Sequence, residues 1–190
     1  QNKMKIFLLF AILFLSSVQG SQFTSVWGAY VANINIQLPN LAYKVGDATL
    51  QLNNGVLTQP TGGILSATLD NRILNADFNN DSYPDAAVVL TVVYDGIGYF
   101  SKIVFVVLQN YATGAKPTNG IHIGIATYKI DLFSMDSENK KIIVGFMDRL
   151  PGQPKAALPT VPTIFTLAFV DSSLVTDSTK TLDASCYPYY

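Results

Sequence analysis

The segment DFNNDSYPDAAVVLTVVY, residues 77–94, carries the strongest structural signal in this sequence. Its first half is a short run of Asp and Asn, and its second half is almost entirely Ala, Val and Leu. An uncharged apolar run of this length is typical of a β-strand that is buried on both faces. We therefore expect a strand over residues 86–94 at the centre of the core, entered through a tight polar loop.

A second apolar strand follows directly along the chain. Residues 100–109 contain the run Ile103–Leu108, and the connection Asp95–Gly98 contains two glycines. Two β-type runs joined by a short glycine-rich connection predict a hairpin. Because burial of each large apolar side chain contributes roughly 1.5–3 kcal/mol, we expect this hairpin to dominate the core.

The remainder of the chain also has the composition of a β-protein. Twelve Asp stand against a single Glu, and ten Tyr and eleven Phe are present. Asp favours turns, and aromatic residues favour strands. The fold class we predict is all-β, a mostly antiparallel sheet or sandwich, with no long helices in the mature chain and no amphipathic helix of 12 or more residues. Alternation and turn signals predict further strands at residues 34–38, 64–69, 72–76, 128–135, 141–147 and 164–170, and a hairpin over residues 43–52 with its turn at Gly46-Asp47.

The N-terminal segment is predicted to be a secretory signal peptide. Lys5 precedes the apolar run Ile6–Leu15, and small residues lead to Gly20, after which we place the cleavage. The apolar run is shorter than the roughly 20 residues that a membrane-spanning helix needs, although an N-terminal membrane anchor is the alternative. We therefore expect residues 1–20, which include three residues upstream of Met4, to be removed. Residues 21–190 then form a single β-rich domain, secreted or periplasmic, without a membrane span.

Charge and cysteine content exclude some classes of function. The formal net charge is −1 and no basic cluster is present, so nucleic acid is not an expected partner. Cys186 is the single cysteine, which rules out an intrachain disulfide.

The polar half of the opening stretch has the layout of a calcium loop. Asp77, Asn79, Asp81 and Asp85 place side-chain oxygens at positions 1, 3, 5 and 9, and the backbone carbonyl of Tyr83 adds another oxygen. Calcium takes about six to eight oxygen ligands, and carboxylates crowded together repel one another without a cation. We expect Ca²⁺ at these five residues. Two alternatives are an Asp/Asn-rich turn without an ion and a catalytic metal site.

The loop is not an EF-hand, since its twelfth position lacks the glutamate that such a loop requires. It resembles the Asp-x-Asn-x-Asp-Gly-x-x-Asp loops of FG-GAP and VCBS-type repeats, in which a calcium loop precedes a strand, with Ser82 in place of the usual Gly. Residues 41–170 are similar to a family of uncharacterised exported bacterial β-domains with a single loop of this kind. The resemblance implies a β-fold and a calcium ion, and it implies no activity.

The function predicted on this basis is a non-enzymatic, calcium-stabilised binding or structural module. Its partner would be an unidentified protein or glycan, or a second copy of the chain in a self-assembling surface or filament subunit, because the two apolar strands are suited to strand addition. The alternative is a hydrolase-like enzyme that uses Asp residues near the ion. His122, the single histidine, is interpreted as structural, and the tail residues Tyr187, Tyr189 and Tyr190 as a floppy end or an aromatic patch.

Overall fold

The structure is a computed structural model that describes residues 26–96, 100–110, 112–123, 129–154 and 157–182. The predicted signal peptide, Cys186 and the three C-terminal tyrosines lie outside the described residues. Within the described part of the chain, no helix is long and apolar enough to cross a membrane.

The described residues form an α-helix, α1, over residues 26–37, a 3-10 turn at Leu38–Asn40 and twelve strands. The all-β fold class is confirmed, since strands dominate and the helix is short. The expectation that no amphipathic helix of 12 or more residues is present is wrong, because α1 spans twelve described residues and packs one face into the core. The strands are β1 (Ala42–Val45), β2 (Ala48–Asn53), β3 (Val56–Leu57), β4 (Ile64–Ala76), β5 (Asp85–Tyr94), β6 (Phe100–Asn110), β7 (Gly114–Pro117), β8 (Ile121–Ile123), β9 (Ile130–Asp136), β10 (Lys141–Asp148), β11 (Val161–Val170) and β12 (Ser173–Thr181).

The strands form two antiparallel sheets. The larger sheet follows chain order from β1 to β7, with β8 paired to β6, and the smaller sheet has the order β12-β11-β10-β9. Strands β1 and β7 approach each other, so the larger sheet curls toward a barrel. Strands that follow one another along the chain pair as neighbours from β1 to β7 and from β9 to β12, and β8 departs from this order by pairing with β6.

The hairpin β5–β6 lies at the centre of the molecule, as the sequence predicts. Alternate β5 side chains such as Val88 and Leu90 enter a core inside the curled sheet, together with Phe105 of β6. Their neighbours Val89 and Val104 enter a second core against the smaller sheet. Because successive strand residues face opposite sides, one hairpin supplies both cores. The prediction that both strands are buried on both faces is confirmed.

The predicted strand at residues 34–38 is wrong, because this segment is the C-terminal part of α1 and the 3-10 turn. Ile34 and Leu38 are fully buried in the first core, four residues apart, whereas Ile36 is 74% exposed. The half-buried Trp27 and Tyr30 precede these two residues at a spacing of three to four residues, which is the helical period. The alternation of apolar and polar residues at 34–38 overlaps this period by coincidence.

Strand β4 replaces the two strands predicted at residues 64–69 and 72–76. Its pairing with β5 shifts register between Leu69 and Ile73, so the chain continues through an irregularity without a turn. There Arg72 donates from Nε to Asp70 Oδ1 at 2.9 Å and from Nη1 to the Ile130 carbonyl at 2.5 Å. The guanidinium therefore connects the larger sheet to the first residue of β9.

Neither β5 nor β6 is available for strand addition in the folded domain. Strand β5 is hydrogen-bonded between β4 and β6, and β6 lies between β5 and the pair β7 and β8. The basis on which self-assembly was predicted therefore fails, because a partner strand requires an unpaired edge. Strand β12 is one edge of the smaller sheet, and its side chains are mostly polar and exposed.

Candidate metal centre at residues 77–85

Residues 77–85 join β4 to β5, and the Asp77 side chain at the start of the loop accepts backbone N–H groups from its middle. Its Oδ1 accepts the backbone N–H of Asp81 at 3.1 Å, and its Oδ2 accepts the N–H of Ser82 at 3.2 Å. A short acidic side chain that accepts from backbone groups further along the chain is how Asp closes a turn. Asp77 therefore fixes the first turn of the loop with both carboxylate oxygens.

Asn79 and Asp81 repeat this arrangement one step further along the loop. Asn79 Oδ1 accepts the N–H of Asp81 at 3.1 Å, and Asp81 Oδ1 accepts the N–H of Tyr83 at 2.8 Å. Asn79 Nδ2 also donates to Asp81 Oδ2 at 2.9 Å. The structure thus brings three of the five predicted ligands, Asp77, Asn79 and Asp81, into one set of nested turns.

Asp85 is oriented differently from the other acids, since it is fully buried at the start of β5. Its Oδ2 accepts the N–H of Phe78 at 2.9 Å, and its Oδ1 accepts the N–H of Gln109 on β6 at 3.0 Å. Burial raises the pKa of Asp85 to about 6, although both backbone N–H groups favour its charged form. The Asp85 carboxylate therefore connects Phe78, near the start of the loop, to Gln109 on β6 of the central hairpin.

Tyr83 contributes its ring as well as its backbone. The ring packs edge-to-face against Tyr30 of α1, with centroids 5.4 Å apart and an interplanar angle of 82°. Trp27 borders the same cleft, with Asp81 and Ser82 of the loop on its other side. The helix that the sequence did not predict thus covers one side of the candidate site.

Two residues of the loop lie in the left-handed region of backbone space. Asn80 has φ +62° and Ser82 has φ +71°. Asn tolerates this conformation, but Ser82 occupies the position where the FG-GAP-type pattern has Gly. The departure from the pattern is therefore accommodated by backbone strain at Ser82.

Lys140, in the turn between β9 and β10, supplies a positive charge to the loop. Its ammonium donates to the Asp77 carbonyl and to Asn80 Oδ1, both at 2.6 Å, and lies 3.7 Å from Asp77 Oδ2. Sequence analysis missed Lys140, because it is 63 residues from Asp77 and no local pattern connects the two. Tyr30 is not predicted as a site residue, because the sequence pattern indicates a strand at residues 34–38 and no helix before it.

The donor atoms of the loop are of the type that calcium prefers, but the acidic side chains are not clustered around one point. Each carboxylate oxygen has two lone pairs, so an oxygen that accepts one N–H keeps a lone pair for a cation. The donors are hard oxygens, the type that Ca²⁺ prefers. Among the described residues, however, no three His, Cys, Asp or Glu side chains are close enough together to hold a metal ion.

His122 on β8 lies apart from this loop. Its Nδ1 is 2.9 Å from Ser101 Oγ on β6, and desolvation of the ring lowers its pKa. The ring borders a cavity of about 730 Å³ that Lys44 and Lys116 also line. Ser101 is buried and does not line that cavity, so the Ser101–His122 contact links β6 to β8.

Comparison of the chain with protein-family models, with curated proteins and with solved structures finds no match.

Proposed function

We propose that this chain is an exported, non-enzymatic binding module in which residues 77–85 hold one calcium ion. The observation that carries the proposal is the set of nested turns at Asp77, Asn79 and Asp81, which gathers hard oxygens at the entrance to the most buried strand. Asp85 connects the same loop to β6 through its bond to the N–H of Gln109. An ion at the loop would therefore stabilise the start of the central hairpin.

The ion would act on stability through mass action. Calcium at about ten to a hundred times its dissociation constant adds roughly 1.4–2.7 kcal/mol to the free energy of unfolding. Exported proteins are exposed to the calcium of the extracellular or periplasmic medium, and the proposed export would place this chain there. The cation would also offset repulsion between Asp77 and Asp81, which the Lys140 ammonium offsets in part.

The Lys140 ammonium would stabilise the calcium-free loop and weaken calcium binding to it. A fixed ammonium 3.7 Å from a ligand carboxylate repels a divalent cation at the same site. Replacement of Lys140 by Met should lower the stability of the calcium-free protein, because two hydrogen bonds to the loop are lost. The same replacement should tighten calcium binding, because a competing charge is removed.

The experiment is a thermal melt of the protein with calcium and with a chelator. Calcium should raise the Tm of the wild type, and Asp81→Asn should remove most of that rise. Lys140→Met should enlarge the rise, whereas Lys141→Met is the matched control. Lys141 is the next residue along, and its ammonium pairs with Asp177 at 3.0 Å, away from the loop. A Tm that is equal with calcium and chelator in wild type and Lys140→Met would refute the proposal.

A further inference from the structure

The larger sheet ends in two strands that form no ladder with each other in the part of the chain that the structure describes. Strands β1 and β7 lie at opposite ends of its strand order, although they approach one another. Lys44 of β1 and Pro117 of β7 both line the cleft of about 730 Å³ between these strands. An unpaired strand edge is the place where a strand of another chain can add, so the fold has to protect the edges of β1 and β7.

The pairing of β7 with β6 shows which backbone groups of β7 point outward. Ala115 lies opposite Gln109, and Pro117 lies opposite Val107. In an antiparallel pair, successive residues alternate between bonding to the neighbouring strand and pointing away from it. The Ala115 N–H points away from β6, because it donates to the Gln37 side chain at 3.1 Å. Pro117, two residues further along, therefore has the same outward orientation.

These two outward positions of β7 offer no free backbone donor to an added strand. The Ala115 N–H is already bonded to Gln37 Oε1, and Pro117 has no N–H group. Proline on an edge strand is one of the features by which natural sheets prevent strand addition. Gln37 gives the same protection to the other position with a side chain from α1.

The Gln37 side chain is held in the orientation that this contact requires. Its Nε2 donates to Asn33 Oδ1 at 2.5 Å, about one helical turn earlier, so its Oε1 faces β7. The segment is fixed on the curled sheet by Ile34 of α1 and Leu38 of the 3-10 turn, both fully buried in the first core. The acceptor therefore belongs to a residue whose backbone is anchored on both sides.

Positive charge and strand length add to this protection. Lys44 of β1 and Lys116 of β7 both line the cleft, and none of the described residues that line it is acidic. A second copy of the chain would bring its own lysines against these two, and like charges across a strand pair are unfavourable. Both edge strands have only four residues, which also limits the bonds that an added strand could gain.

We propose that Gln37 is an autoinhibitory cap on the β7 edge, which together with Pro117 prevents a second copy of the chain from adding a strand to the larger sheet. A curled sheet that stops short of closure keeps two edges, and this cap occupies the one backbone donor that β7 would otherwise present. The inference does not require the calcium ion, because neither residue belongs to the loop at 77–85.

The test compares the self-association of two variants of the mature protein by sedimentation equilibrium. Pro117→Val restores an outward N–H but keeps the cap, whereas Gln37→Ala combined with Pro117→Val frees both outward donors. The double variant should associate about tenfold or more tightly than Pro117→Val, and wild type should stay monomeric. In the associated form, the backbone amides at positions 115 and 117 should exchange hydrogen more slowly.

The matched control is Gln51→Ala combined with Pro117→Val, since Gln51 is an amide on β2 that contacts backbone carbonyls away from β7. This protein should associate no more tightly than Pro117→Val alone. Cooperative thermal unfolding of each variant excludes misfolding as the cause of association.

A second measurement tests the cap without the substitution at Pro117. Gln37→Ala alone should exchange the Ala115 amide hydrogen faster than wild type, because the acceptor is lost. An unchanged exchange rate in this variant would overturn the inference. A folded double variant that is as monomeric as Pro117→Val would overturn it as well.

Discussion

At the scale of single residues, the buried Asp85 carboxylate both stabilises the fold through its hydrogen bonds and destabilises it through its buried charge. Its carboxylate satisfies two backbone N–H groups that would otherwise be buried without an acceptor, those of Phe78 and Gln109. The same burial disfavours its charge and raises its pKa to about 6. A raised pKa means that the folded protein holds a proton that the unfolded chain has already released.

This raised pKa predicts a pH dependence in the calcium-free protein. Between about pH 4 and pH 6 the folded state binds more protons than the unfolded state, so the free energy of unfolding should fall as pH rises through this window. Urea unfolding at a series of pH values, in chelator, measures the effect. Asp85→Asn cannot titrate, so the variant should lack this fall, and an equal fall in both proteins would contradict the assignment.

Ser82 carries strain that a glycine would relieve. A side chain at φ +71° is disfavoured by roughly 1 kcal/mol, so Ser82→Gly should stabilise the protein by about 0.5–1 kcal/mol, measured by urea unfolding. Asn54→Gly is the control, because Asn54 also has positive φ but is a residue type that tolerates it, and its replacement should be nearly neutral. Destabilisation by Ser82→Gly alone would show that the serine side chain supports the loop.

At the residue scale, local chemistry was readable from the sequence and distant chemistry was not. The spacing of Asp77, Asn79 and Asp81 predicts a tight loop, and the three side chains do close one. Ser82 stands where the resembling loops have Gly, and it has the positive φ that favours Gly. The contact of Lys140 could not be predicted, because it depends on how the smaller sheet packs against the larger one.

At the scale of elements, α1 shows how a period can mislead. Five residues with alternating polarity fit a strand, yet Trp27, Tyr30, Ile34 and Leu38 fit a helix over a longer window. The longer pattern prevails because the fully buried Ile34 and Leu38 lie on one helical face that covers the core of the curled sheet. The strands β5 and β6 were predictable because their apolar runs are short, rich in Val and Ile, and joined by a connection that contains glycine.

Arg72 connects β4 to β9, and we expect the loss of its hydrogen bonds to lower the free energy of unfolding. Its guanidinium holds Asp70 within β4 and the Ile130 carbonyl of β9, and it also lowers the pKa of Asp70. Arg72→Leu leaves both acceptors without this donor and should cost about 1–3 kcal/mol in urea unfolding. Lys141→Met removes an exposed ion pair with Asp177 and should cost less than about 1 kcal/mol. Equal costs would show that Arg72 acts only as a surface charge.

At the scale of the whole molecule, two cores share one hairpin. The first contains Phe105 and the buried face of α1, and the second contains Phe146, which packs edge-to-face on Phe165 at 5.0 Å. Since β5 and β6 contribute side chains to both cores, loss of either core removes support from the other. We therefore expect the described sheets to unfold as one cooperative unit.

Coincident unfolding curves test this expectation. Trp27 fluorescence reports on α1, and far-UV circular dichroism reports on the strands of both sheets. Phe105→Ala and Phe146→Ala should each cost about 3–5 kcal/mol and should shift both signals by the same amount. A Phe146→Ala protein whose circular dichroism transition shifts while the Trp27 transition does not would show two independent units.

The central claim is that residues 77–85 hold one calcium ion, and calorimetric titration of calcium into chelator-treated protein tests it most directly. Wild-type protein should show one saturable site per chain, and Asp77→Asn combined with Asp81→Asn should abolish it, because each change removes a charged oxygen ligand. Magnesium should bind far more weakly, since it demands a smaller and more regular octahedral site. Absence of saturable calcium binding in the wild type, or an unchanged isotherm in the double variant, would show that residues 77–85 do not hold calcium.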